Sequence, residues 1–155
     1  MADFKDVLNK ARQDRDAEEV AAQEAAVQRI QIDRDNLEAA EAWLSRVVIA
    51  TLEKVKADLD GDFFVTIDDN FSGMKAKDPR RRVVSYTIKP HNARHTAYTY
   101  HVAVDVRRDV KCNRSRGSEL DPSAVFWGTI DKMTVEDFSA QIEQLIEWWV
   151  KNEDH

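Results

Sequence analysis

The sequence predicts an α+β fold: a long N-terminal helical segment, a roughly four-stranded antiparallel sheet, and a C-terminal amphipathic helix packed on one sheet face. Three observations predict it. Apolar residues recur at helical spacing up to Gly61, alternate with period two from Phe63 to about Arg107, and return to helical spacing after Thr134. No strand–helix–strand alternation is present, which favours helices covering one side of an antiparallel sheet over a parallel one.

The chain begins with an under-anchored helix. Phe4, Val7, Leu8 and Ala11 make a short stripe, which Asp14, Arg15, Asp16, Glu18 and Glu19 interrupt before Val20, Val27 and Ile30 resume it. This segment is Ala-rich and helical by propensity, but it has little apolar surface to hold it against a core. Over residues 37–59 the stripe is dense, with Leu37, Ala40, Trp43, Leu44, Val47, Val48, Leu52, Val55 and Leu59, and Gly61 is a suitable stop. A single helix of about 57 residues would run roughly 85 Å at 1.5 Å per residue. A compact domain of this size is only about 40 Å across, so an unbroken helix would overhang and need a partner, most simply a second copy. In Asp33-Arg-Asp-Asn36, Asp35 followed by Glu38 resembles a capping box, which predicts a break or bend near residues 33–36. The expected division is a helical arm over residues 1–35 and an α+β domain over 36–155.

After Gly61, Phe63, Val65 and Ile67 alternate against Phe64 and Thr66 to make a first strand. A second is expected over 83–88, with Val84, Tyr86 and Ile88 on one face. The third, over about 96–107, places Tyr98, Tyr100, Val102, Val104 and Val106 opposite Thr99, His101, Ala103 and Asp105. Residues 110–113 extend that strand or stand alone. The turn-rich Arg116-Gly-Ser-Glu-Leu-Asp-Pro-Ser123 then leads to a fourth strand over 125–130. Thr134-Val-Glu-Asp-Phe138 opens the last helix with an N-cap and first-turn acids, and Phe138, Ile142, Leu145, Ile146 and Trp149 form its buried stripe.

Charge follows this architecture. Residues 1–60 hold 14 Asp/Glu and 9 Lys/Arg, residues 61–120 hold 7 and 12, and residues 121–155 hold 8 and 2, so a net charge of −6 conceals acidic ends around a basic middle. Two basic clusters stand out, Lys75, Lys77, Arg80, Arg81, Arg82 and Arg107, Arg108, Lys111, Arg114, Arg116. In a four-strand meander both fall on loops at one end of the sheet, where convergent Arg side chains would bind phosphates or carboxylates. The same cations can equally be solvated, or neutralise an acidic helix of this chain or of a neighbouring copy. A pI near 5.2 works against nonspecific binding of nucleic acid. Tyr86, Tyr98 and Tyr100 fall on the core face, so no exposed stacking platform is expected.

Other constellations point away from chemistry. His91 and His95 are four apart, but Pro90 and Asn92 mark a turn rather than the helix on which that spacing makes a metal pair, so no metal site is expected. Asp58-x-Asp60-Gly-Asp62 places its glycine too early for a calcium loop and reads as a helix-to-strand turn. Cys112 is the sole cysteine; flanking cations could lower its pKa, but a plain free thiol is expected. The chain has none of the glycine-rich nucleotide fingerprints or the Gly-x-Ser-x-Gly of hydrolases, so no cofactor and no enzyme activity is expected. A secretory signal and a membrane span are not evident either, and the expected location is the cytoplasm.

The expectation drawn from this pattern is a non-enzymatic module that binds a protein partner or a second copy of itself. Val20, Val27, Ile30 and Leu37 are the expected contact side. Trp148, about 100° around the helix from Trp149, is the tryptophan expected to reach a partner. An anion- or RNA-binding module using the basic edge is the alternative. In size, charge and helix–sheet–helix order the chain is also similar to the small acidic dimeric chaperones of bacterial secretion, from which the long N-terminal segment departs.

Overall fold

A computed structural model describes residues 3–73, 77–94, 96–116, 119–120 and 125–152, with backbone alone for 119, 120, 125 and 126. Lys75, His95 and most of the turn-rich stretch after Arg116 lie outside the described residues. The element order is α1 (Phe4–Trp43), a π-helical turn (Leu44–Ile49), α2 (Ala50–Asp58), β1 (Phe63–Asp69), β2 (Arg81–Pro90), β3 (Thr99–Asp105), β4 (Asp109–Arg116), β5 (Glu119–Leu120), β6 (Val125–Thr129) and α3 (Val135–Lys151). This is the α+β class. The chain divides into two units, Met1–Asp35 and Asn36–His155.

In the first unit, residues 4–32 are helical and exposed throughout. Gln31 Nε2 donates to Asp35 Oδ1 at 2.9 Å, one turn along the helix.

The second unit is organised by the helix that enters it. The break expected near 33–36 does not form, and α1 continues through these residues. Asn36 does not cap a helix start. Its Nδ2 donates to the Val106 carbonyl at 2.6 Å, and its Oδ1 accepts from Arg108 Nε at 2.8 Å. A tertiary use of the side chain has thus replaced the local one that makes Asn a helix breaker. Further on the helix passes through the π-helical turn, and Trp43, Leu44, Val47, Val48 and Leu52 are all buried. The helix stops after Asp58, with Asp62 N and Phe63 N both donating to the Leu59 carbonyl around Gly61 at φ 93°.

All pairings in the sheet are antiparallel, in the order β1-β2-β3-β4, with β5 and β6 both pairing the outer side of β4 at its two ends. The expected third strand is shorter than predicted, and a further strand, β4, follows it. Asp105 Oδ1 accepts from Arg107 N at 2.8 Å and Asp109 N at 3.1 Å, and Arg108 takes the left-handed φ of 65°. Together they reverse the chain without glycine or proline. Val84, Tyr86, Ile88, Val102, Val104 and Val110 bury one face against the helices. Thr134 closes a capping box with Asp137 at the start of α3, whose Phe138 and Ile142 join the same core. Two indole N–H groups anchor this layer: Trp43 Nε1 donates to Met133 O and Trp149 Nε1 to Ile88 O, each at 3.0 Å.

Asn36→Ala tests whether the tertiary bonds outweigh helix propensity. Alanine favours the helix by about 0.6 kcal/mol over asparagine, whereas two lost bonds, one to a charged donor, cost about 2 kcal/mol. The expected result is a loss of roughly 1–2 kcal/mol in urea denaturation; a more stable variant would mean the Asn36 bonds contribute nothing.

Candidate functional site

The basic residues do not converge on one surface. Because β4 is a strand rather than a loop, Arg107 and Arg108 lie beside its start while Arg114 and Arg116 lie near its other end, about 23 Å away by strand rise. The first group is largely engaged within the unit. Arg82, only 8 % exposed, pairs with Glu41 at 2.8 Å and donates through Nη1 to the Asp78 and Arg81 carbonyls, so it belongs to the structure rather than to an external anion. Lys77 reaches the same Glu41 oxygen at 3.0 Å, Arg81 pairs with Asp78 at 3.8 Å, and Arg108 with Asp131 at 3.6 Å. Arg80, Arg107 and Lys111 are exposed.

On Glu41 two effects oppose each other. Partial burial raises its pKa, but hydrogen bonds from Arg82 and Lys77, reinforced by their charges, outweigh it and hold the carboxyl below its ordinary 4.5. A carboxylate held low in the folded state contributes stability above its unfolded pKa and loses it as pH falls through the folded value. Glu41→Gln is therefore expected to cost about 2 kcal/mol at pH 7, since it strands a buried guanidinium. The gap to the parent chain should close as pH falls below 4.5. Urea denaturation at pH 7 and pH 3 measures both, and an unchanged gap would contradict the ion-pair account.

The sheet face turned away from the core is polar and held together by hydroxyl groups. His101 on β3 lies between two strands, with Nδ1 2.7 Å from Ser85 Oγ and Nε2 3.0 Å from Ser115 Oγ. Thr87 and Thr99 hydroxyls meet at 3.2 Å in the next row. Burial, and then the charge of Arg81, lower the His101 pKa, so the ring is neutral at neutral pH and can donate to one serine while accepting from the other. The arrangement ties three strands. A shallow hollow of about 390 Å³ beside it opens over Ala103, between His101 and Asp105.

Cys112 packs against the core from β4, and burial raises its thiol pKa, the reverse of the lowering that flanking cations would give. His91 packs against Phe64, the ring planes tilted by 33° and the centroids 3.7 Å apart. Among the described residues no group of three or more His, Cys, Asp or Glu is placed to hold a metal ion, and no helix is long and apolar enough to cross a membrane.

A more distinctive arrangement lies between α3 and the far end of β4. An open cleft of about 810 Å³ brings Tyr98, Trp127 and Trp148 together with Arg114 and Arg116. The two guanidinium carbons sit 4.2 and 4.7 Å from the Tyr98 ring centre, within cation–π range. Arg116 also donates through Nε and Nη2 to the Thr96 carbonyl at 3.2 and 3.0 Å. Trp148 is 46 % exposed and meets Trp149 edge-on. Tyr86 is buried as expected, but Tyr98 and Tyr100 are only half-buried, so the core face ends in an accessible aromatic rim. Period-two reading assigns all three tyrosines to one face and cannot show where cover by α3 ends; Trp148 was the one visible signal.

In the N-terminal unit Val20, Val27 and Ile30 are 52 %, 66 % and 59 % exposed, with a shallow notch between Val20 and Val27. Leu37 differs: it is buried in the second unit and has no surface to offer a partner.

Compared with protein-family models, curated proteins and solved structures, the chain matches none.

Proposed function

We propose that this protein is a non-enzymatic interaction module that associates with a second copy of itself through its N-terminal helix. The observation that carries this reading is the exposure of Val20, Val27 and Ile30 on a helix whose residues 4–32 are all exposed. Such a helix gains no tertiary packing from its own unit, and isolated helices are marginal in water. The three side chains are spaced seven and three residues apart, the a-to-a and a-to-d steps of a two-helix seam. A matching helix would cover them, and a second copy supplies one at equal concentration.

The cytoplasm remains the proposed location. Association with a different protein through the same stripe is the competing outcome of the test.

The test is sedimentation equilibrium of the full chain and of a V27D/I30D variant. The parent chain is expected to sediment as a dimer or larger species at both low and high salt, because apolar association is not screened. The variant should be monomeric with an unchanged near-ultraviolet spectrum. A monomeric parent chain at tens of micromolar would overturn self-association.

A further inference from the structure

Charge at the two ends of the N-terminal stripe sets the direction in which a second helix can lie on it. With Val20 and Val27 at a and Ile30 at d of a two-helix seam, the remaining positions on the same line are Gln23 between them and Asp16 and Arg34 beyond them. Gln23 lines the shallow notch together with Val20 and Val27. One flank of the seam carries Glu19, Ala26 and Asp33, and the other Ala17, Glu24 and Gln31. All of these belong to the first unit, and Asp16 and Arg34 are exposed. Asp16 does meet Arg15 of its own helix at 3.3 Å, but both side chains are 64 % exposed, so solvent weakens that pair.

A parallel second copy opposes each seam residue to itself. Asp16 then faces Asp16, Arg34 faces Arg34, and Glu19 of each chain lies beside Glu24 of the other. No opposite charges are brought together at these positions. The one gain is that Gln23 faces Gln23, so the two amides can bond.

An antiparallel copy opposes a to d. The register that sets Val20 of each chain against Ile30 of the other also sets Asp16 against Arg34 at both ends, with Val27 against Gln23 between them. Both repulsions in the seam become attractions. What stays unfavourable lies on the flanks, Glu19 beside Asp33 and Glu24 beside Glu24, where water and salt screen it. The neighbouring antiparallel registers fail: one faces Val20 with Leu37, which is buried in the second unit, and the other faces Val27 with Asp16. Like charges directly opposed reject a pairing more strongly than an amide that can turn to water at an open notch.

We propose that the second copy binds antiparallel, with Asp16 of each chain paired to Arg34 of the other at the two ends of a core made by Val20, Val27 and Ile30. The inference rests on self-association through this stripe, and adds the orientation and the residues that select it.

Sedimentation equilibrium of the full chain tests it with D16R, R34D and the double variant D16R/R34D. Each single reversal is expected to weaken dimerisation roughly ten-fold or more, and the double variant to return to within roughly three-fold of the parent chain. In a parallel dimer each reversal only exchanges one like pair for another, and all three variants would match the parent. Cross-linking gives a second readout. Antiparallel helices bring the two copies of position 24 together and hold the two copies of position 16 about 27 Å apart by helix rise. Mild oxidation should therefore join E24C chains and leave D16C chains unjoined, the bonded peptides being mapped by mass spectrometry to separate them from Cys112. The orientation is overturned if the single reversals leave the dimer as tight as the parent, or if D16C joins to itself and E24C does not. In either case a parent dimer that V27D/I30D dissociates leaves self-association standing, whereas a monomeric parent chain removes both.

Discussion

The burial of one helical face, from Leu37 through Leu52, against the inner side of the sheet is the constraint on which the second unit depends. Strands β1 to β4 each commit apolar side chains to it, from Val65 on β1 to Val110 on β4, and α3 adds Phe138 and Ile142. Burying a Leu, Val or Ile side chain contributes about 1.5–3 kcal/mol, so this layer outweighs any single polar contact in the molecule. Leu44, Val47 and Val48 of the π-helical turn are buried in this layer together with Trp43 and Leu52.

Polar groups fix the register of that layer. Trp43 and Trp149 each bring an indole N–H to a backbone carbonyl, and Glu41 meets Arg82 and Lys77 at the edge of the core. Part of the basic middle of the sequence is therefore consumed in folding: Lys77, Arg82 and Arg108 answer Glu41, Asp131 and Asn36. The charge asymmetry between ends and middle is in this respect a device by which the chain recognises itself. Arg114 and Arg116 are differently used, their guanidinium groups turned toward the Tyr98 ring.

Much of the fold was legible because it rests on periodicity. The alternation of Val84, Tyr86 and Ile88, the stripe from Trp43 to Leu52 and the cap at Thr134 all behave as their spacing requires. What was not legible depends on side chains used at long range. Asn36 looks like a helix breaker until Val106 and Arg108, 70 and 72 residues away, take up its amide. The turn at Arg108 has no glycine or proline and is built instead by the Asp105 carboxylate, so the sequence leaves residues 110–113 either as an extension of the third strand or as a strand of their own, and the four-strand meander puts Arg107 to Arg116 on one loop. The aromatic cleft escaped notice for a similar reason, since exposure at the margin of a sheet is decided by where a covering helix ends.

Residues 4–32 are exposed along their whole length, and we propose that another copy of the same helix covers them. Amide hydrogen exchange of these residues, followed by mass spectrometry at two protein concentrations a hundred-fold apart, tests that most directly. An uncovered helix opens readily and exchanges fast, whereas a paired one is protected in proportion to the paired fraction. Protection that rises with concentration over residues 20–30, while residues 37–52 remain equally slow at both, is the predicted result. Exchange that is the same at both concentrations would contradict it.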